Sequence, residues 1–155
     1  GKEKKILKTT VPIVVKISPD IEDKNINIIS DLLLQHSVEA VIISNTTDKN
    51  RENLSNINKL EKGGLSGKPL ENRSNELINK FYKILKNKIK IIGVGGVDSG
   101  QSAYQKIING ASLVQLYTGM IYQGPKIASK ISKELINILD KEGAKNISDV
   151  VGSKN

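Results

Sequence analysis

Two glycine-containing segments in the last third of the chain have the residue types of an anion-binding site. Residues 91–100 run from two isoleucines into Gly93-Val94-Gly95-Gly96 and then Asp98-Ser99, and residues 111–119 end in Tyr117-Thr118-Gly119. Each segment is predicted to be a buried strand, a loop and a helix N-terminus, where free N–H groups and the helix dipole favour anions. Two such units in succession predict a phosphate site, although tight turns alone would also use these glycines.

Two other predicted strand ends carry polar groups. The run at 11–17 is apolar apart from Pro12 and Lys16. A lysine near the end of a buried strand is costly unless it faces a polar site. The predicted strand at 38–44 ends in Ser44-Asn45-Thr46-Thr47. These hydroxyl and amide groups suit hydrogen bonds to a polar ligand, and an ordinary polar turn explains them equally well.

The long polar segment at 48–72 is predicted to be a loop that is either functional or disordered. It ends in Gly63-Gly64-Leu65-Ser66-Gly67-Lys68-Pro69-Leu70. The Gly67-Lys68 pair resembles a P-loop, but only three residues separate Gly63 from Gly67, and Pro69 stands where Ser or Thr would bind magnesium. Gly93-Val94-Gly95 lacks the third glycine of a dinucleotide-binding fingerprint, because position 98 is aspartate. Both nucleotide-binding motifs are therefore excluded.

The composition excludes several kinds of site. The chain has 155 residues, enough for one domain, and no cysteine, which excludes disulfides, thiolate metal sites and a cysteine nucleophile. His36 is the only histidine, so a multi-histidine metal centre is excluded and little room is left for a Ser-His-Asp triad. No metal site is predicted. Because His36 follows a leucine-rich helical pattern, we expect it at the surface or as a cap of that helix.

The net charge of +8 suits nucleic acid, an acidic membrane surface or a phosphorylated ligand. Only 3% of the residues are aromatic, and no segment alternates basic with stacking residues, so a solvated lysine surface without a nucleic-acid partner is favoured. Residues 1–10 form a basic lead-in. No apolar run reaches membrane-spanning length and no signal peptide is recognisable, so we expect the chain itself to be soluble and intracellular.

Hydrophobic periodicity predicts four successive β/α units. The predicted strands are at 11–17, 38–44, 89–94 and 111–116, the predicted helices are at about 25–36, 73–87, 99–109 and 124–141, and a short tail follows at 144–155. This α/β alternation predicts a parallel sheet in which Lys16, Asn45, Gly96 and Tyr117 share the C-terminal edge, where such sheets bind ligands. Four units are half of an eight-stranded barrel, and a half barrel leaves open strand edges. We therefore expect a fragment.

Five motifs occur in order along the chain, namely Val15-Lys16-Ile17-Ser18-Pro19-Asp20, Ser44-Asn45-Thr46-Thr47, the glycine loop at 63–70, Ile92-Gly93-Val94-Gly95-Gly96-Val97 and the segment at 111–119. Together they resemble the C-terminal half of dihydroorotate dehydrogenase of the membrane-associated, quinone-dependent class 2. Arg51, downstream of the threonines, and Ser74, just after the glycine loop, also look like class 2. The resemblance implies a TIM barrel, (β/α)8, of which residues 11–155 supply about four C-terminal units.

The resemblance also implies an activity and a set of site residues. Enzymes of this family oxidise dihydroorotate to orotate in pyrimidine synthesis, using FMN and passing electrons to quinone. By resemblance, the FMN-binding residues are Lys16, Ser44, Gly67, Gly96, Tyr117 and Thr118, and the substrate-binding residues are Asn45 and Thr46. Lys16 is expected beside the pyrimidine edge of the flavin, where its charge would stabilise the anionic reduced form.

Other parts that the resemblance implies lie outside this chain. The catalytic base, a serine in class 2, precedes this segment, so no catalytic residue is assigned here. The N-terminal half of the barrel and a helical region for quinone and membrane contact also lie upstream. The resemblance implies a peripheral location on the cytoplasmic side of the inner membrane. We expect the 155-residue chain alone to bind FMN weakly and to have no turnover.

Two alternatives stay open at this stage. Another FMN barrel that oxidises a pyrimidine would share the final phosphate site, although Asn45-Thr46-Thr47 and the glycine loop favour dihydroorotate. A non-catalytic basic binding module would bind polynucleotide in a strongly salt-dependent way. It would leave the strand-end motifs unexplained.

Overall fold

The computed structural model describes residues 11–49, 51–52 and 54–155 and shows a parallel four-stranded sheet. The strands, side by side in chain order, are β1 (Val14–Ile17), β2 (Ala40–Ile43), β3 (Lys90–Val94) and β4 (Leu113–Gln115). Ile42 lies between Lys16 and Ile92 in the register. This arrangement confirms the predicted β/α alternation and brings the C-terminal ends of all the strands to one edge.

Five α-helices lie within the described part of the chain. They are α1 (Ile26–Gln35), α2 (Glu71–Leu85), α3 (Gly100–Ile108), α4 (Thr118–Gln123) and α5 (Ile127–Glu142). Short 3-10 helices occupy Asp23–Asn25, Ile57–Leu60, Lys68–Leu70 and Ile147–Val150. His36 is exposed at the C-terminal cap of α1, as expected. None of the helices in this described part is long and apolar enough to cross a membrane.

Several predicted boundaries are wrong. The strand expected at 11–17 begins only at Val14, because Pro12 has no N–H group and the Ile13 N–H donates to the Glu39 carboxylate at 2.7 Å. Helix α2 begins at Glu71, two residues before its predicted start. Helix α4 was not predicted, because six residues are too few to show a helical period. The predicted lead-in at 1–10 lies outside the described residues.

The main core lies between one face of the sheet and α1 and α2. Val41 and Ile43 of β2 are fully buried against Leu77, Ile78 and Phe81 of α2. Alternate strand residues point to this face, which is why β2 and β3 are apolar there. A second cluster joins α3 to α5. These contacts anchor the strands, so the loops at their C-terminal ends are built on a fixed base.

The other face of the sheet is open. Val14 is 42% exposed and Leu113 is 62% exposed, and Lys16 and Gln115, two residues further along the same strands, are also exposed. Alternation places these side chains opposite the helices. In the described residues, this face therefore has no covering layer.

Candidate functional site

A cavity of about 890 Å³ lies at the C-terminal edge of the sheet. Its lining includes every residue to which the sequence assigned a binding role, namely Lys16, Ser44, Asn45, Thr46, Gly67, Gly96, Tyr117 and Thr118. These residues come from four strand ends and the glycine loop. The fold thus brings together residues up to about a hundred positions apart in the sequence.

The end of β2 is held by its two neighbours. The Ser44 N–H donates to the Val94 oxygen of β3 at 3.1 Å, and the Asn45 N–H donates to the Ile17 oxygen of β1 at 2.9 Å. Ser44 itself is 3% exposed, and its hydroxyl donates to the Asn45 oxygen at 3.2 Å. Asn45 and Thr46 are exposed at the cavity. The backbone is therefore fixed while the side chains of the proposed substrate-binding pair are accessible.

Glycine is required where the loops of the cavity approach each other. Gly67 has φ +82°, and a Cβ there would lie 2.9 Å from Thr118 Cγ2. Gly96 has φ +74°, and a Cβ there would lie 2.9 Å from the Cα of Glu71. Both conformations favour glycine, and both positions lack room for a side chain. We call Gly67, Gly95, Gly96 and Thr118 the glycine cradle.

The hydroxyl of Thr118 is part of the same cradle. It forms a hydrogen bond of 2.8 Å with the Ser66 hydroxyl, in which either oxygen can donate. This bond links the glycine loop to the start of α4, across 52 positions of sequence. A hydroxyl beside backbone groups in left-handed conformation is an arrangement that suits phosphate oxygens.

The N-terminus of α3 is occupied by its own side chains. The Ser99 hydroxyl accepts the Ser102 N–H at 3.2 Å, and the Ser102 hydroxyl accepts the N–H groups of Asp98 and Ser99, each at 3.0 Å. The Gly100 N–H donates to the Glu134 carboxylate of α5. The glycine-containing sequence predicts free N–H groups for an anion at this helix start, and that prediction is wrong for these groups, because their hydrogen bonds are already made within the protein.

An ion pair lies at the rim of the cradle. Lys68 Nζ is 2.6 Å from a Glu71 oxygen and 3.7 Å from Asp98 Oδ1. The hydrogen bond to Glu71 raises the pKa of Lys68. The Lys68 side chain is 64% exposed, so its charge is screened by solvent.

Lys106 is a buried lysine that was not predicted from the sequence. Its ammonium donates to Asn75 Oδ1 at 2.7 Å and to the backbone oxygen of Glu71 at 3.3 Å, in the first turns of α2. Burial lowers the pKa of Lys106 to about 8. The feature of the sequence that indicates its burial is its position beside Ala103 and Ile107 on the apolar face of the predicted helix.

Arg51 and Ser74, noted in the sequence, both hold loops. Arg51 donates to the backbone oxygens of Glu61 at 2.7 Å and of Lys59 at 3.2 Å, and also to the Gly63 oxygen. Ser74 is fully buried, and its hydroxyl donates to the Val94 oxygen at 2.6 Å. They support the site and do not line it. Within the described residues, no group of three or more potential metal ligands occurs.

Comparisons with known proteins agree with this geometry. A family model described as Dihydroorotate dehydrogenase matches residues 2–139. Dihydroorotate dehydrogenase (quinone) of Trichodesmium erythraeum is 44% identical over 154 residues, covering 93% of this chain and 40% of that protein. The protein of the same name from Deinococcus radiodurans is 40% identical over 141 residues, covering 91% of this chain and 38% of that protein.

A solved structure is similar in fold as well. The crystal structure of a ligand-free DHODH from Eimeria tenella superposes with a TM-score of 0.88 at 39% sequence identity, covering 92% of this chain and 39% of that one. The chain thus spans about two fifths of the length of the relatives that it matches. The match extends over nearly the whole of this chain, and it includes every strand of the sheet. The chain therefore belongs to the dihydroorotate dehydrogenase family.

Proposed function

We propose that this chain is the C-terminal half of a class 2 dihydroorotate dehydrogenase, and that its cavity binds FMN and dihydroorotate. The observation that carries the proposal is the convergence of all eight assigned residues on one cavity at the C-terminal strand edge. That edge is where β/α barrels build their active sites. The reaction would be the oxidation of dihydroorotate to orotate, with quinone as the final electron acceptor.

The glycine cradle fits the phosphate group of FMN. Gly67 and Gly96 let the loops of the cavity approach Thr118 and Glu71 more closely than any residue with a Cβ could, and the Thr118 hydroxyl adds a donor beside them. The exposed Lys16 is the cation on β1 that faces the cavity. When bound, FMN supplies a two-electron acceptor for the hydride of the substrate. Lys16 would then stabilise negative charge on the pyrimidine edge of the flavin.

Asn45 and Thr46 would orient the substrate. Their side chains are exposed at the cavity, while the backbone of Asn45 is tied to β1. An amide offers both a donor and an acceptor, and a hydroxyl offers either, which suits the alternating N–H and C=O groups of a pyrimidinedione ring. A pair held on a rigid strand end positions the substrate ring for hydride transfer.

No serine of this chain is proposed as the base. The Ser18 hydroxyl accepts the Asp20 N–H at 3.2 Å, the Ser44 hydroxyl donates to a backbone oxygen, and the Ser66 hydroxyl bonds Thr118. None of them has a general base within hydrogen-bond reach among these partners. By resemblance, the base lies in the N-terminal half of the barrel, as do the quinone-binding and membrane-binding region and the peripheral location on the inner membrane.

The test compares the complete protein that carries this chain with the isolated 155 residues. We expect the complete protein to bind FMN and to reduce a quinone analogue with dihydroorotate, and the isolated chain to show no turnover. Turnover by the isolated chain would contradict the assignment of the base upstream. A complete protein that binds FMN but prefers another dihydropyrimidine, measured by protection against thermal unfolding, would favour a different flavin oxidoreductase.

A further inference from the structure

Asp20 lies in the loop after β1 and joins two parts of the site. Its Oδ1 accepts the hydroxyl proton of Thr47, and its Oδ2 accepts the Asp48 N–H at 3.0 Å. Both carboxylate oxygens are thus bound to the segment that directly follows Asn45 and Thr46. Hydrogen bonds to a charged acceptor are stronger than neutral ones.

Thr47 passes this constraint to the glycine loop. Its backbone forms two hydrogen bonds with Leu65, of 3.1 Å and 2.7 Å, and the residue is 3% exposed. The residue before Leu65, Gly64, packs so closely that a Cβ there would lie 1.9 Å from Thr46 Oγ1. The position of Thr46 at the cavity is therefore set by the contact between these two loops.

Asp20 is itself held in place. Arg73 of α2 donates to the Pro19 oxygen at 3.1 Å and to the Ile21 oxygen at 2.9 Å, on either side of Asp20. The same guanidinium contacts Asp23 at 3.0 Å. The loop after β1 is consequently fixed to α2, and the segment that follows β2 is fixed to that loop.

We infer that Asp20 is a positioning residue for the substrate-binding pair Asn45 and Thr46. It acts through Thr47 and does not line the cavity. The inference rests on the proposed function for the identity of the ligand, orotate. The hydrogen bonds that carry it do not involve the cradle residues, so it predicts an effect on substrate binding that leaves FMN binding unchanged.

The test uses the complete FMN-loaded protein with Asp20→Asn and Thr47→Val. Asp20→Asn replaces one carboxylate oxygen with an NH2 group, which cannot accept the hydrogen bond from the Asp48 N–H. Thr47→Val removes the hydroxyl that donates to Asp20. We expect each variant to raise the Kd of orotate by about tenfold and to leave the Kd of FMN within about twofold. Thr47→Ser keeps the hydroxyl and should retain binding, and Asp31→Asn, an exposed carboxylate on α1, is the charge control.

Two further readouts separate positioning from general loss of structure. Asp20→Asn and Thr47→Val break different bonds of the same loop contact, so the double variant should raise the Kd of orotate further than either single variant while the Kd of FMN stays within about twofold. Amide exchange at Thr47 and Leu65 should increase in Asp20→Asn. An unchanged orotate Kd would overturn the inference whatever the exchange rates, as would an equal loss of FMN and orotate binding.

The proposed function and the role of Asp20 can be tested separately. If the unmodified FMN-loaded protein does not bind orotate, the proposed function and the substrate assigned to this pair are both wrong. Increased exchange at Thr47 and Leu65 in Asp20→Asn would then still show that Asp20 fixes the loop contact. Unchanged exchange would contradict that role of Asp20 too.

Discussion

At the residue scale, the chain uses lysine in two opposite ways. Lys16 is exposed at the cavity, where its charge is available to a ligand. Lys106 is fully buried between α3 and α2, where its ammonium is bound by Asn75 and a backbone oxygen. The polar surroundings of Lys16 could be predicted because this lysine interrupts an apolar strand. The burial of Lys106 could not, because a single lysine on a helix is usually solvated.

The buried ammonium of Lys106 predicts a dependence of stability on pH. Its folded pKa of about 8 is below the ordinary 10.5, so between these pH values the unfolded chain binds the proton and the folded chain does not. The free energy of unfolding of the wild type should therefore increase with pH across this window, by up to about 3 kcal/mol more than that of Lys106→Met. The measurement is urea unfolding of both proteins at pH 7.5 and 10.5.

A matched control for this comparison is Lys133→Met, which removes an exposed lysine of α5. It should follow the wild-type pH dependence. Glu71, which raises the pKa of Lys106, and Lys68, which lowers it, remain present in both variants. Parallel pH curves for wild type and Lys106→Met would contradict the burial of a titrating ammonium.

The glycine cradle predicts a selective effect of Gly96→Ala on FMN binding. The new Cβ would meet the backbone of Glu71, so the loop must move away from α2 and the cradle must change shape. We expect at least a tenfold rise in the FMN Kd, equivalent to about 1.4 kcal/mol, measured by quenching of flavin fluorescence. The control is Gly143→Ala, which has φ +69° but no atom near its Cβ. An equal effect of both variants would show that backbone strain, and not the crowded cradle, is responsible.

At the element scale, the strand ends were predictable and their supports were not. Periodicity and polar strand ends place Asn45 and Gly96 at one edge, because parallel strands must end together. The pairing of Thr47 with Leu65 and the clamp of Arg73 on the loop after β1 join distant segments. No local pattern encodes such contacts, so sequence reasoning could not find them.

The capping box of α3 predicts a modest loss of stability in Ser99→Ala. The variant loses the acceptor for the Ser102 N–H and leaves that group without its partner. A lost cap of this kind costs about 1 kcal/mol, which urea unfolding would measure. Ser99→Asp retains an acceptor and should keep most of the stability. A Ser99→Ala variant as stable as wild type would show that this cap contributes little.

At the scale of the whole molecule, the open face of the sheet decides how the chain behaves alone. The described sheet has β1 and β4 as outer strands, and apolar side chains such as Leu113 are exposed on the same face as Lys16 and Gln115. Half of a barrel would present such a face, which agrees with the share of the relatives that this chain covers. The sequence allowed this to be predicted from the number of β/α units.

The exposed face predicts self-association of the isolated chain. Unpaired strand edges and an apolar sheet face favour contact with other copies. We expect sedimentation velocity to show oligomers, and Leu113→Lys to shift the isolated chain toward monomer. Leu32→Lys, an exposed leucine on α1, changes charge equally and is the control. A wild-type chain that remains monomeric at high concentration would contradict this prediction.

The most direct test of the central claim is the visible spectrum of the complete, purified protein under anaerobic conditions. We expect a yellow flavin band that dihydroorotate bleaches and a quinone analogue restores, and we expect an Asn45→Ala variant to keep the flavin but to be bleached far less. A flavin band that dihydroorotate does not bleach, or a complete protein that binds no flavin, would contradict the proposed function.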